Sequence, residues 1–396
     1  MVGSVALLAA ACAFNSFGNY DVLSVDVSHP HPSLERVVYH VEADHKSLNR
    51  FLITHVSKQG QAILGRPLLL LSPFALPGAF YEISETGDYE ESAAAQLAEA
   101  GADVWLVDQR QTHLPAGSCE ANAATCSAMA GWDNNAVADD ALFALSLLKA
   151  YHPFERPVVG GFSAGSSGAL ATVNREPEAF SGLFMYEGTL YNKDPTIAAH
   201  NDPICTSLTS QIAAGTYFND SFGAIGESLE LAHSDPSGLT PIPGFPPGTT
   251  NEQSMFFIFG TPPPPTALSP TATFVRNIVD FTTQQFVYTN QQRLELVGPL
   301  FDQVGSLPAL RDLACGLSGH DDQFVTNVGR FRGDLLVYVE GTGFGQAMFD
   351  TAALFDHASS KTIDQHTEFG DSDPYFAFKW HEDFLDPLVA WLRRTR

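Results

Sequence analysis

Pro157-Val158-Val159-Gly160-Gly161-Phe162-Ser163-Ala164-Gly165-Ser166-Ser167-Gly168-Ala169 is the stretch from which this 396-residue chain can be read. A proline-bounded apolar run leads into a G-x-S-x-G pentapeptide, and a small-residue helical stretch follows. The order is strand, sharp turn, helix. So tight a turn demands glycine two residues either side of the serine, because a side chain there would clash. It pushes the Ser163 hydroxyl out beyond the strand end. The N-terminus of the helix beneath favours developing negative charge. Ser163 is the candidate nucleophile.

Outward from this turn, short β-like runs alternate with amphipathic stretches, which is the pattern of an α/β fold. Residues 37–41 and 51–56 read as an opening pair of strands. Pro67 precedes Leu68-Leu69-Leu70-Leu71, a continuous apolar run of the kind a strand buried on both faces shows. Residues 89–101 read as a helix closed by a glycine, and residues 102–107 as the next strand. Residues 134–151 are helical by their period, with Val137, Leu142, Leu145 and Leu148 on one side. Residues 183–186 continue the alternation and residues 334–339 resume it. The composition between them differs. Residues 192–330 hold two proline-rich runs, at 241–247 and 262–265, and an aromatic stretch at 273–300 that reads as helical. This block lacks a buried-strand signature and reads as a mostly helical insertion, its prolines marking loops or hinges.

With these elements in place, residues from about 34 to 396 resemble the α/β-hydrolase superfamily. The resemblance implies a mostly parallel central sheet with helices on both faces and a mostly helical cap after strand six, where 192–330 falls. The core would comprise 15–191 and 331–396. It also implies a Ser-His-acid triad and an oxyanion hole of two backbone N–H groups. One donor would be Ala164, the residue after the nucleophile. The other would lie after Leu71, where relatives often carry His-Gly and this chain has Ser72-Pro73. Proline has no N–H, so Phe74 is the expected donor and Ala75 the fallback.

The triad histidine belongs in the loop after the last strand. Two positions share the pattern His-x-acid-Phe: His366-Thr367-Glu368-Phe369 and His381-Glu382-Asp383-Phe384. Asp373-Pro374 reads as a helix start. That start leaves His366 in the loop and puts His381 inside the final helix, so His366 is favoured. Asp371 stands in Phe369-Gly370-Asp371-Ser372-Asp373, where some relatives have Gly-His-x-Asp. The acid has two family positions. After the strand at 334–339 the carboxylates are Glu340 and, further on, Asp350. After strand six, Met185-Tyr186-Glu187-Gly188 places one at the strand end, as in the haloalkane-dehalogenase subgroup, although Ser163 excludes that subgroup's aspartate chemistry. Glu187 is favoured.

Composition bounds the function. With 20 Lys+Arg against 45 Asp+Glu the formal net charge is −25, which excludes a nucleic-acid binder and disfavours anionic membranes. Hydrophobic residues make up 44% of the chain, enough for a large core and too many for a disordered chain. Residues 1–14 resemble a secretory signal segment with small-x-small cleavage sites, although no Lys or Arg precedes the apolar run. Leu8-Ala9-Ala10-Ala11-Cys12 loosely resembles a lipoprotein signal, with Cys12 as the lipid-anchored residue. Removing or lipidating Cys12 leaves four cysteines, which in an exported chain form two disulfides. Cys119 and Cys126 can pair locally, leaving Cys205 and Cys315 to staple the long insertion. The spacing does not suit zinc. Asn219-Asp220-Ser221 is a glycosylation sequon. The expected function is a secreted or periplasmic serine hydrolase of carboxylic esters, acting on a small ester or short acyl substrate without metal or organic cofactor. A serine peptidase of the same fold and a non-catalytic binding protein are the alternatives.

Overall fold

The computed structural model describes residues 18–59, 67–114, 117–121, 125–219, 222–260, 268, 285–301 and 303–395. Its centre is a nine-stranded sheet. The strands are β1 (Tyr20–His31), β2 (Leu34–Ala43), β3 (Arg50–Lys58), β4 (Leu68–Leu71), β5 (Val104–Val107), β6 (Val158–Phe162), β7 (Gly182–Tyr186), β10 (Asp334–Thr342) and β11 (Ser360–Gly370). They lie in the order β1-β2-β3-β5-β4-β6-β7-β10-β11. The first three form an antiparallel meander, and β3 runs antiparallel to β5. From β5 onward neighbouring strands are parallel. Every residue of β4, β5, β6 and β7 is buried. That burial explains the unbroken apolar runs: both faces of a parallel sheet are covered by helices.

On one face Leu69, Trp105, Val159, Leu183 and Val337 pack under α2 (Asn134–Tyr151) and α3 (Ala164–Arg175). On the other, Leu70, Leu106, Phe184 and Tyr338 meet α1 (Ala93–Glu99) and α9 (Asp386–Arg394). Local chemistry sets the helix ends. Ser92 and Asp133 cap α1 and α2 by accepting the Ala95 and Ala136 N–H groups, and Gly101 follows α1 at φ +96°.

Between β7 and β10 the described residues form α4 (Pro195–Ala213), α5 (Phe222–Ser234), α6 (Asn251–Gly260) and α7 (Leu307–Leu317), with a small antiparallel pair, β8 (Phe218–Asn219) and β9 (Gly305–Ser306). A disulfide joins Cys205 on α4 to Cys315 on α7, and a second joins Cys119 to Cys126. The sequon's Asn219 lies in β8; Asp220 and Ser221, like Cys12 and residues 1–14, lie outside the described residues. The helix expected over 273–300 is corrected where it is described. Only Gln291–Glu295 is α-helical, because Tyr288 to Asn290 run extended against the chain after β11. There Asn290 N–H donates to Phe376 O (2.7 Å) and Phe378 N–H to Tyr288 O (2.9 Å).

Candidate active site

The site begins where β6 becomes α3. Ser163 sits between them at φ +54°, a conformation that non-glycine residues rarely adopt. Its surroundings impose it. Ser163 N–H donates to Tyr186 O at the end of β7 (2.8 Å). A Cβ on Gly165 would stand 2.2 Å from Leu71 O, so the first turn of α3 lies against the end of β4. A Cβ on Gly188 would stand 1.8 Å from Ser163 O, so the loop after β7 closes on the other side. The Ser166 hydroxyl ties that loop down by donating to Gly188 O (2.6 Å).

The close approach at Gly165 also brings the 72–76 loop beside the turn. Ser72 is held by Gln109, whose N–H donates to Ser72 Oγ (3.1 Å) and whose side-chain amide donates to Ser72 O (2.8 Å). Ala75 has φ +54° and Leu76 N–H donates to Pro73 O (3.3 Å), so the loop is a tight turn. Phe74, the expected oxyanion donor, sits within it, its ring over Gly305. Ala164 opens α3, where first-turn N–H groups have no intrahelical acceptor.

Glu187 follows β7 at φ +46° and is fully buried. Its Oε1 accepts the Glu340 N–H (2.7 Å) and its Oε2 the Phe344 N–H. Burial outweighs both bonds and pushes its carboxyl up to about 8. Glu340, also fully buried, has no partner on either oxygen among the described residues. Burial, then the charge of Glu187, holds it well above the usual carboxylate range. Asp350 is occupied elsewhere: on α8 (Gln346–Ala353) it accepts Lys193 N–H (2.8 Å) and the Gln346 side chain (2.9 Å).

The histidine expectation needs correction. His366 lies inside β11, not in the loop after it, in register with Glu340 of β10. Its ring stacks on Phe369 (5.0 Å between centroids), and its Nε2 is 3.4 Å from Asp364 Oδ1 without hydrogen-bond geometry. β6 and β11 are separated by β7 and β10, three inter-strand steps, on the order of 14 Å. That exceeds the reach of a side chain held in the strand. His381 is exposed at the start of the wound segment His381–Leu385, its ring against Trp380 at 4.3 Å. Neither is bonded to Ser163 or Glu187.

The residue that does leave β11 at its carboxyl end is Asp371. Only 7% of it is exposed, and its Oδ1 has no partner among the described residues. Burial, then the charges of Glu187 and Asp373, push it well above the usual carboxylate range. Sequence reasoning did not give it a role. The available signal was the Gly-x-x-Asp spacing of Gly370 to Asp373, with a carboxyl in the histidine's place.

No protein-family model matches the chain, and no curated protein does. Solved structures do. A candidate lipase from Sulfolobus solfataricus is 16% identical, with a TM-score of 0.63, over 94% of this chain and 100% of that one. An esterase from Thermogutta terrifontis is 12% identical, with a TM-score of 0.46, over 89% of this chain and 96% of that one. A likeness below one half adds nothing, so the first carries the assignment, together with the sheet order and the turn at Ser163. The chain has the fold of the α/β-hydrolase superfamily.

Proposed function

We propose that this chain is an exported serine hydrolase that cleaves carboxylic esters through an acyl-enzyme on Ser163. The observation that carries the reading is the Ser163 turn. A strained, non-glycine nucleophile position is clamped by backbone contacts from three strand ends and stands at the N-terminus of α3. Ser163 attacks the ester carbonyl, and the N–H groups of Ala164 and Phe74 receive the developing oxyanion. Glu187, gripped by two backbone N–H groups, is the triad acid. Residues 192–330 act as the cap over the substrate. Of the rings expected to line it, Phe256, Phe259 and Phe286 are core, whereas Phe257 is half exposed; Phe274 and Phe281 lie outside the described residues. The two disulfides support an extracellular or periplasmic setting, and no described helix is long and apolar enough to cross a membrane.

The test is fluorophosphonate labelling beside p-nitrophenyl acetate hydrolysis, wild type against Ser163→Ala. Labelling and hydrolysis that both vanish in Ser163→Ala are expected. A wild type that neither labels nor hydrolyses overturns the reading and leaves the hydrolase fold serving as a binding protein. Faster cleavage of a peptidyl anilide than of the ester would move the assignment to a peptidase.

A further inference from the structure

The chain after β11 turns back across the sheet. Tyr375 N–H donates to Tyr186 Oη on β7 (3.2 Å), and the Tyr375 hydroxyl donates to Phe80 O (2.7 Å). The Tyr375 ring stacks on Phe80 at 4.5 Å, and Phe80 stacks on Phe162 at 5.5 Å. Phe162 immediately precedes Ser163. The loop that begins at Asp371 therefore recrosses β10 and β7 toward the end of β6, a path closed to His366. Asp373 fixes the start of the loop by accepting Gly370 N–H (2.6 Å) and the Thr289 hydroxyl. Asp371 is left buried with an unbonded oxygen beside the Ser163–Glu187 region.

We propose that Asp371 is the general base for Ser163, with Glu187 as the second carboxyl of a proton-sharing pair. The inference rests on the ester-hydrolase reading of Ser163. A protonated carboxyl can do what an imidazole does, accepting on one atom while donating from another. In the active form the pair holds one proton, on Asp371, and Glu187 is ionised, the state its two backbone N–H donors favour. As Ser163 Oγ bonds to the ester carbon, its proton passes to one Asp371 oxygen and the Asp371 proton passes from the other to Glu187. The carbonyl electron pair moves onto oxygen. Collapse of that intermediate breaks the bond to the alcohol, which leaves with a proton returned along the same path. Water then attacks the acyl-enzyme, giving its proton to Asp371. The Oγ–carbon bond breaks, Ser163 recovers its proton, and the acid departs.

The charged groups around the pair are acids. Glu340 faces it from β10, Asp364 lies on β11 beside His366, and Asp373 lies in its own loop. The cation on the neighbouring segment, Arg293, is spent elsewhere. It lies over the rings of Tyr375 and Trp380, donates to Tyr375 O and pairs with Glu85. Glu187, Glu340 and Asp371 form no ion pair among the described residues, and no three such groups there are arranged to hold a metal ion. Sharing a proton is how carboxyls so placed avoid multiple buried charges.

The experiment is the pH dependence of kcat/KM for p-nitrophenyl acetate in the wild type, Asp371→Asn, Asp371→His and His366→Gln. Asp371→Asn is expected to lose about a thousand-fold at every pH, the usual worth of a general base. Asp371→His is expected to regain activity with an acid limb at about 6.5, the ordinary imidazole value. The wild-type limb lies higher, where the pair first ionises. Should Asp371→Asn fail to fold, the wild-type limb and the histidine variant decide the matter. Asp371→Asn within tenfold of wild type, with Ser163→Ala still inactive, overturns the assignment and leaves the serine hydrolase standing. So does a wild-type limb at about 6.5 that His366→Gln abolishes. A wild type that neither hydrolyses nor labels overturns both.

Discussion

Gly188 shows how single residues hold the nucleophile in place. It lies outside the pentapeptide, yet its missing side chain lets the loop after β7 touch the Ser163 carbonyl; a Cβ there would sit 1.8 Å from that oxygen. Backbone cannot swing aside as a flexible side chain can, so Gly188→Ala must displace the strained turn itself. The expected cost is about 3 kcal/mol of stability with near-complete loss of Ser163 labelling. Gly329→Ala is the control, because nothing lies within 4 Å of its Cβ. Thermal melts and probe labelling of the two variants check the contrast, and equal behaviour would refute it. At this scale Ser163 was legible because glycines on both sides of a serine, where an apolar strand gives way to a helix, suit a nucleophile turn and little else. Asp371 was not. A carboxylate in a polar stretch reads as surface, and its burial comes from a loop folding back through contacts remote in sequence, Tyr375 to Tyr186 and Phe80.

Elements were legible in proportion to their burial. The four strands from β4 to β7 read as continuous apolar runs because helices cover both faces. β1 and β11 stand at the sheet edges, and Ser360–Gly370 is exposed or half-exposed until its last two residues. An edge strand with so little buried surface carries no apolar signature, so His366 read as loop. The cysteines were easier, since four of them in a chain with an export-like start leave few pairings. Their two disulfides should differ in worth. Cys205–Cys315 closes a loop of separation 110 and Cys119–Cys126 one of 7. Chain-entropy reasoning gives about 5 kcal/mol for the first and about 2.5 kcal/mol for the second. Calorimetry of the Cys205→Ser/Cys315→Ser and Cys119→Ser/Cys126→Ser pairs should show the larger fall in Tm for the first. The reverse order would mean that local strain or residual structure, not loop closure, sets their contributions.

For the molecule as a whole, the excess of acid acts in two separable ways. The surface part of the −25 charge repels itself and is screened by salt. The buried part acts through protonation, which salt barely touches. Burial pushes Glu187 up to about 8 and Asp108 up to about 7. Each is protonated in the folded chain where the unfolded chain, with ordinary carboxyls near 4, has lost the proton. The folded state then binds more protons, so stability is fully present below about pH 4 and is lost as pH rises through the raised values. His113, which burial lowers to about 4, works in the opposite direction, but only up to about 6.5, where its unfolded form becomes neutral. Asp312, raised to about 6 by burial, has ionised by then. Between pH 6.5 and 8 the loss from Glu187 and Asp108 is therefore unopposed by either group and amounts to something on the order of 2 kcal/mol. Calorimetry at pH 6.5 and 8, in low salt and in molar salt, separates the two effects. Salt should raise Tm at both pH values, while the drop from pH 6.5 to 8 persists. Asp108→Asn keeps an acceptor for the Gly78 N–H that Asp108 now receives and removes one ionisation, so it should shrink that drop. A drop that disappears in molar salt would assign the pH dependence to the surface and leave the buried carboxyls without a part in it.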